Sequence, residues 1–339
     1  MTGGSGAMKH MTLKVENLTT AFNTERGVVK VVDDLNFHIG AGEVLGLVGE
    51  SGSGKSVTAL SIMQLIPNPP GKIAGGRIFF NGENLLEKSR EQMRQIRGSG
   101  IAMIFQEPMT SLNPVYTVGN QLIEAIRVHA KVSAKAARES ALEVLKNVGI
   151  AMPERRMKNY PHQFSGGMRQ RIMIAMALAS NPKLLIADEP TTALDVTIQA
   201  QILDLIRKIN KTYNTAVLLV THDMGVVAQL CDRVCVIYAG KLMEEADTVT
   251  LFETPAHPYT AALLKSIPSL EESTERLTTI EGNLPEPFNL PPGCRFAGRC
   301  CHALDVCYRE QPERSELGAE HFAYCWNPIK YAGQGGDHA

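Results

Sequence analysis

The sequence predicts an α/β fold in which helices cover a largely parallel β-sheet. Residues 43–48 form a short apolar run next to glycines, as expected of a buried strand. Two more hydrophobic runs, residues 183–187 and 216–220, flank an amphipathic stretch at 197–211. This strand–helix–strand alternation implies a parallel sheet, because parallel strands are usually connected by a crossover helix.

The remaining segments complete the expected architecture. Residues 11–81 are mainly strand-like, with a helix predicted at 56–66. Apolar stripes at helical spacing occupy residues 117–158 and predict a helical insertion between the β-containing segments. Beyond residue 255 the chain becomes rich in proline and cysteine with little periodicity, which predicts a small separate appendage.

Composition excludes several function classes. Of the 339 residues, 44% are hydrophobic and 20% are charged, and the formal net charge is -1. The absence of a Lys/Arg-rich block argues against a nucleic-acid partner. No apolar run approaches the ~18–20 residues of a membrane-spanning helix. The Gly-rich residues 1–10 lack the apolar core of a signal peptide and predict a disordered extension or an expression remnant. We therefore expect a cytosolic protein that reaches a membrane only through a partner.

A glycine-rich loop at residues 49–56 carries the clearest chemistry. It fits the pattern G-x-x-x-x-G-K-[ST] and lies between a predicted strand and a predicted helix. Glycines let backbone N–H groups converge on phosphate oxygens, and the helix N-terminus adds the positive end of its dipole. Lys55 would contact the β- and γ-phosphates, and Ser56 would offer a hydroxyl to Mg²⁺. The residues predicted to bind ATP are Gly49, Glu50, Ser51, Gly52, Ser53, Gly54, Lys55 and Ser56.

An acidic pair follows the strand predicted at 183–187. Ligands of open α/β sheets gather at the carboxyl ends of the strands. Asp188 would hold Mg²⁺ there, and Glu189 would polarise the attacking water as a general base. Such a pair alone is often only the start of a helix, but beside a phosphate-binding loop it favours ATP hydrolysis.

Residues 165–170, Ser-Gly-Gly-Met-Arg-Gln, complete a resemblance to the ATP-binding cassette (ABC) family. The resemblance covers residues 11–255 and implies a P-loop NTPase cassette with a RecA-like core, an antiparallel β subdomain and a helical subdomain at 115–165. It also implies an ATP site shared by two cassettes. The signature residues Ser165, Gly166, Gly167 and Met168 would then face the γ-phosphate held by a partner's loop. Met168 replaces the commoner glutamine and leaves the Ser-Gly-Gly donors intact.

Four further positions match the family pattern. Gln106 is similar to the glutamine that contacts Mg²⁺ and the attacking water, and His222 to the switch histidine on the γ-phosphate. Asp195 matches the loop at the interface between cassettes. Phe22 stands where an aromatic ring stacks on adenine, although a phenylalanine near a first strand is commonly a core residue.

Two segments resemble the peptide-importer branch of the family, which includes dipeptide, oligopeptide and nickel systems. They are residues 107–114, Glu-Pro-Met-Thr-Ser-Leu-Asn-Pro, and residues 257–260, His-Pro-Tyr-Thr. The resemblance implies a second, homologous ATPase as a heterodimer partner, two transmembrane permeases and an extracytoplasmic peptide-binding protein. The chain would then be a peripheral protein on the cytoplasmic face of the bacterial inner membrane.

Cysteines cluster in the region 256–339. Cys294, Cys300, Cys307 and Cys325 are separated by five, six and seventeen residues. Some members of the resembling branch hold a [4Fe–4S] cluster in this region, and four thiolates suit either such a cluster or tetrahedral Zn²⁺. Unligated thiols are the third interpretation, and Cys301 is an alternative ligand to its neighbour Cys300.

Two alternative functions remain open at this point. The first is an ATPase of a nickel or antimicrobial-peptide transporter, which stays possible because the transported substrate is selected by the partner proteins and not by the ATPase. A soluble ABC ATPase of DNA repair or translation is the more distant one. Proteins of that kind usually carry two cassettes or a long coiled-coil insertion, and neither is visible in this sequence.

Overall fold

The computed structural model describes residues 11–106, 112–192, 194–267 and 280–330. These residues belong to two compact units, each assembled from separate stretches of chain. The first unit contains residues 11–14 and 38–44 and the described part of 78–219. The second unit contains residues 15–37 and 45–77 and the described residues from 220 onwards.

The elements alternate as the fold prediction requires. The strands are β1 (Met11–Thr24), β2 (Gly27–Gly40), β3 (Val44–Val48), β4 (Gly71–Phe80), β5 (Glu83–Asn84), β6 (Ile101–Ile104), β7 (Leu184–Asp188), β8 (Ala216–Thr221), β9 (Arg233–Tyr238), β10 (Lys241–Asp247), β11 (Arg314–Gly318) and β12 (His321–Tyr324). The α-helices are α1 (Lys55–Ile62), α2 (Arg90–Ile96), α3 (Val118–His129), α4 (Ala134–Asn147), α5 (Pro153–Arg156), α6 (Gly166–Leu178), α7 (Val196–Tyr213), α8 (Met224–Leu230), α9 (Thr248–Glu253) and α10 (Pro258–Lys265). Short 3₁₀ helices occupy Leu85–Glu87, Pro161–Gln163, Ala297–Arg299 and Asp305–Tyr308.

In the first unit, β6, β7 and β8 are neighbours in that order, and β6 pairs parallel with β7. Every residue of β7 is buried, which explains its apolar run from Leu184 to Ala187. The predicted helical stretch is confirmed as α3, α4 and α5. Helix α3 packs against α4, and both begin at hydroxyl N-caps, Thr117 and Ser133.

In the second unit, β3 pairs parallel with β9, and the strand order continues from β9 through β10 and β12 to β11. Strands β2, β1 and β4 are neighbours, in that order, in a second sheet. All residues of β3 and β9 are buried, so β3 supplies a rigid base for the loop that follows it.

The structure corrects two expectations. The helix predicted at 56–66 ends at Ile62, because Met63 caps it and Gln64 takes a left-handed φ of 48°. The region after residue 255 is not a separate appendage, since β12 pairs with β10 and extends the sheet of the second unit. Across the described ranges, no helix combines the length and apolarity that a bilayer crossing requires.

Candidate functional site

The glycine-rich loop leaves β3 and enters α1, as predicted. Gly49, Gly52 and Gly54 have φ values of 156°, 81° and 101°, which L side chains rarely adopt. A Cβ atom at Gly49 would collide with the carbonyl oxygen of Ile237, and one at Gly54 would lie 2.7 Å from that of Val31. Glycine is therefore required at both ends of the loop for steric as well as conformational reasons.

Polar groups converge inside this loop. The Lys55 side chain is buried, and its Nζ donates to the carbonyl oxygens of Gly49 at 2.7 Å and Glu50 at 2.9 Å. Ser53 is fully buried, and its Oγ has no hydrogen-bond partner among the residues that the structure describes. Since buried polar groups are normally hydrogen-bonded, this hydroxyl is expected to bind a polar group of a ligand. Together with the N-terminus of α1, where Ser56 lies in the first turn, these groups fit the phosphates and Mg²⁺ of a bound nucleotide.

The acidic pair lies at the end of β7 in the first unit. Asp188 is buried, and Glu189 adopts a left-handed φ of 46°. The Glu189 Oε2 accepts hydrogen bonds from Gln106 Nε2 and from Thr192 Oγ1, each at 2.9 Å. Gln106 follows β6, the neighbour of β7, so strand pairing brings together residues 83 positions apart. Thr192 was not among the predicted site residues, because its only signal in the sequence is its position three residues after Glu189.

The signature residues begin α6. Ser165 is the N-cap of this helix, and its Oγ accepts from the Met168 N–H at 3.4 Å. Gly166 borders open space, whereas a Cβ atom at Gly167 would lie 2.7 Å from Ile198 Cγ2 on α7. The helix N-terminus can therefore offer N–H groups to an anion, and Gly167 lets α7 pack closely beside it.

Two more residues organise the surroundings of the signature. Asp195 is the N-cap of α7 and accepts from the Ile198 N–H at 3.0 Å. Gln170, buried within α6, donates through Nε2 to the Pro190 carbonyl at 2.7 Å. Because Pro190 follows Glu189, this bond ties the signature helix to the acidic segment. Within the signature run, the pattern of residue types does not distinguish Gln170 from its neighbours.

The remaining predicted positions lie in the second unit or outside the described ranges. His222 is exposed directly after β8, and Asp223 beside it caps α8. Phe22 is half-buried on β1 with its ring against Gly71 of β4. Residues 107–111, which belong to the segment that resembles the peptide-importer branch, are outside the described residues.

The cysteine region gives no support to a metal centre. Cys294 and Cys307 are buried, Cys300 and Cys325 are half-buried, and Cys301 is exposed. Burial, with a smaller contribution from the neighbouring thiols, raises the pKa of Cys294 to about 11 and that of Cys325 to about 12. The neutral thiol is therefore favoured at neutral pH. Within the described ranges, no group of three or more His, Cys, Asp or Glu side chains is arranged to hold a metal ion.

Comparison with known proteins identifies matching families and relatives. The family described as "ABC transporter" matches residues 32–192, and the "Oligopeptide/dipeptide transporter, C-terminal region" matches residues 243–307. A probable peptide ABC transporter ATP-binding protein, y4tR of Sinorhizobium fredii, is 55% identical over 93% of this chain and 94% of its own. The oligopeptide transport ATP-binding protein OppD of Bacillus subtilis is 50% identical over 93% of this chain and 88% of its own.

Solved structures share the cassette fold. The ATP-binding cassette MJ0796, a dimer in a post-hydrolysis state bound to ADP and Pi, has a TM-score of 0.63 and 29% identity. The similarity covers 70% of this chain and 98% of that structure. These relationships agree with the phosphate loop, the acidic pair and the signature helix described above. The chain therefore belongs to the ABC transporter family, among the ATP-binding proteins that carry the oligopeptide/dipeptide transporter C-terminal region.

Proposed function

We propose that this chain is the ATP-hydrolysing subunit of an importer for di- or oligopeptides. The observation that carries the proposal is the coexistence of a cassette with the C-terminal region of oligopeptide/dipeptide transporters, in a chain 50% identical to an oligopeptide transport ATP-binding protein. The loop from Gly49 to Ser56 has every residue that the phosphate-binding motif requires, and a hydrogen bond from Gln106 orients Glu189. Both features are consistent with an active ATPase.

Each predicted residue has one role in this proposal. Lys55 and the loop N–H groups bind the phosphates, and Phe22 stacks on the adenine. Ser56, Gln106 and Asp188 hold Mg²⁺, which neutralises phosphate charge when bound. His222 contacts the γ-phosphate, and Glu189 accepts the proton of the attacking water.

The active assembly in this proposal contains more than one chain. A second, homologous ATPase presents its own signature to this loop, and Ser165–Met168 and Asp195 of this chain serve the opposite site. The dimer contacts two permeases through residues 106–113 at the cytoplasmic face of the inner membrane, with an extracytoplasmic peptide-binding protein on the other side. ATP-driven closure and reopening of the dimer would then drive alternating access.

Reconstitution tests the proposal. The chain would be purified with the ATPase, permeases and binding protein encoded beside it and placed in liposomes. We expect ATP-dependent uptake of labelled di- or oligopeptides that disappears in Lys55→Ala. Uptake of nickel without peptide uptake would favour the alternative transporter, and ATP hydrolysis without any assembly with permeases would favour a soluble ABC ATPase.

The [4Fe–4S] cluster on Cys294, Cys300, Cys307 and Cys325, with Zn²⁺ as the alternative metal, stays a prediction from the family resemblance alone. Anaerobic purification followed by iron, sulfide and zinc analysis tests it. A sample with none of the three would leave unligated thiols as the correct interpretation.

A further inference from the structure

Arg299 connects the cysteine region to the phosphate loop within the second unit. It ends the 3₁₀ helix Ala297–Arg299, and its side chain is only 8% exposed. Its Nη1 donates to Glu50 Oε2 at 2.7 Å, and its Nη2 donates to Glu50 Oε1 at 3.0 Å. The contact is therefore a bidentate pair, the geometry in which arginine binds a carboxylate most strongly.

The guanidinium is fully engaged. Besides the two bonds to Glu50, it donates to the Tyr238 hydroxyl at 3.2 Å and to the carbonyl oxygens of Ile280 at 3.0 Å and Glu281 at 2.9 Å. These five bonds match the five N–H donors of arginine. It also lies 5.7 Å from the ring centroid of Tyr238 and 5.9 Å from that of Phe296. A lysine could not reproduce this planar set of contacts.

Glu50 is held through its backbone as well as its side chain. Its N–H donates to the Tyr259 hydroxyl at 2.9 Å, and its carbonyl accepts from Lys55 Nζ at 2.9 Å. Tyr259 is fully buried against Tyr238, with ring centroids 4.7 Å apart. The C-terminal part of the second unit thus fixes the residue whose carbonyl helps to hold the predicted phosphate-binding lysine.

A solvent-exposed ion pair contributes little to stability, but the pair of Glu50 and Arg299 is largely buried. The Glu50 side chain is 24% exposed and the Arg299 side chain 8%. Burial alone would lower the pKa of Arg299, yet its hydrogen bonds to Glu50 and Tyr238 raise the pKa above its ordinary value. Removing either partner would leave a poorly hydrated charge beside the loop. The neighbouring Arg295 is anchored in turn, to Asp33 and the Ala239 carbonyl.

We propose that Arg299 is a positioning residue for nucleotide binding, which sets the affinity for ATP by fixing Glu50 and hence the backbone of the phosphate loop. The inference rests on ATP binding at this loop, as proposed above. Since the loop holds the phosphates before and during hydrolysis, the contact strengthens ground-state and transition-state binding alike. Losing it should raise KM and leave kcat at saturating ATP nearly unchanged.

Charge exchange tests the proposal in the full-length chain. Fluorescent ATP-analogue binding would be measured for Arg299→Glu, for Arg299→Lys and for the exchanged pair Glu50→Arg with Arg299→Glu. We expect Arg299→Glu to raise Kd about tenfold or more, and Arg299→Lys to raise it about threefold, because a lysine keeps the charge and loses the fork. The exchanged pair should recover most of the affinity lost in Arg299→Glu. Arg309→Glu, an exposed change in the same region, is the matched control and should bind like the parent.

Several outcomes would overturn the positioning role. They are parental affinity in both Arg299 variants, an exchanged pair that binds no better than Arg299→Glu, or a loss confined to kcat in the assembled ATPase. Thermal unfolding without nucleotide shows whether Arg299→Glu folds. If it does not fold, the Kd of Arg299→Lys is compared with that of the parent chain instead, and an unchanged Kd would overturn the positioning role. A parent chain that fails to bind the analogue would instead refute ATP binding itself, so the two failures are distinguishable.

Discussion

Replacing Thr192 by valine removes a hydrogen bond that holds the Glu189 carboxylate. Thr192 Oγ1 and Gln106 Nε2 both donate to Glu189 Oε2 at 2.9 Å. Valine has nearly the shape of threonine without the donor, so the change leaves the backbone turn after β7 in place. We expect slower ATP hydrolysis, because a carboxylate that has lost this bond samples orientations in which it cannot accept the proton of the attacking water.

The size of the effect follows from the geometry. A hydrogen bond to a charged group contributes about 1.5–3 kcal/mol. Glu189 is only half-buried, so water can replace part of the lost bond, and Gln106 still binds the same oxygen. These two facts reduce the expected loss to about 1 kcal/mol, which corresponds to about a fivefold decrease in kcat.

The assay is phosphate release at saturating MgATP with the partner ATPase present. Thr192→Ser keeps the hydroxyl and is the matched control, expected to retain parental kcat. KM should be unchanged in both variants, because Glu189 acts on the water rather than on nucleotide affinity. Full activity in Thr192→Val, or equal losses in the valine and serine variants, would refute the supporting role of this hydrogen bond.

Three further predictions follow from the described contacts. Glu189→Gln should lower kcat by about 100-fold or more and accumulate an ATP-bound dimer, visible by gel filtration, whereas normal turnover would exclude Glu189 as the base. Gly49→Ala should abolish the thermal stabilisation by ATP, because its Cβ atom meets a carbonyl oxygen of β9; a retained shift would contradict this. Burial lowers the pKa of His257 from 6.5 to about 4, despite the opposing effect of Glu244. Between these pH values the unfolded chain binds more protons, so stability falls as the pH drops. His257→Asn stays neutral and should lose on the order of 2 kcal/mol less stability between pH 7 and pH 5 in urea unfolding, and equal losses would contradict the buried neutral histidine.

The sequence predicted the elements whose pattern is strong within a short window. The fully buried β3, β7 and β8 appear as apolar runs, and α7 has a clear amphipathic period, so their positions are confirmed within a few residues. Strands β11 and β12 were missed. They have only five and four residues, no residue of β11 is buried, and the three apolar residues of β12 are too few to establish a period.

The same distinction applies to the candidate site. The phosphate loop is a local motif, and its glycines are required by φ values and close approaches that the motif encodes directly. The hydrogen bonds of Glu189 with Gln106 and of Gln170 with Pro190 depend instead on which strands and helices become neighbours. A pattern of residue types could name Gln106 and Glu189 separately, but it could not show that one carboxylate oxygen accepts from both Gln106 and Thr192.

Glu50 makes contacts that the phosphate-loop motif alone does not predict. In G-x-x-x-x-G-K-[ST] the glycines, the lysine and the hydroxyl residue are set by phosphate chemistry, while Glu50 occupies a variable position. Because the motif does not constrain the side chain at this position, contacts with residues outside the loop can determine which residue stands there. Here those neighbours are Arg299 and Tyr259. Tyr259 and Arg299 both belong to the region that follows the cassette, so a cassette truncated at residue 255 would lack these contacts to the phosphate loop.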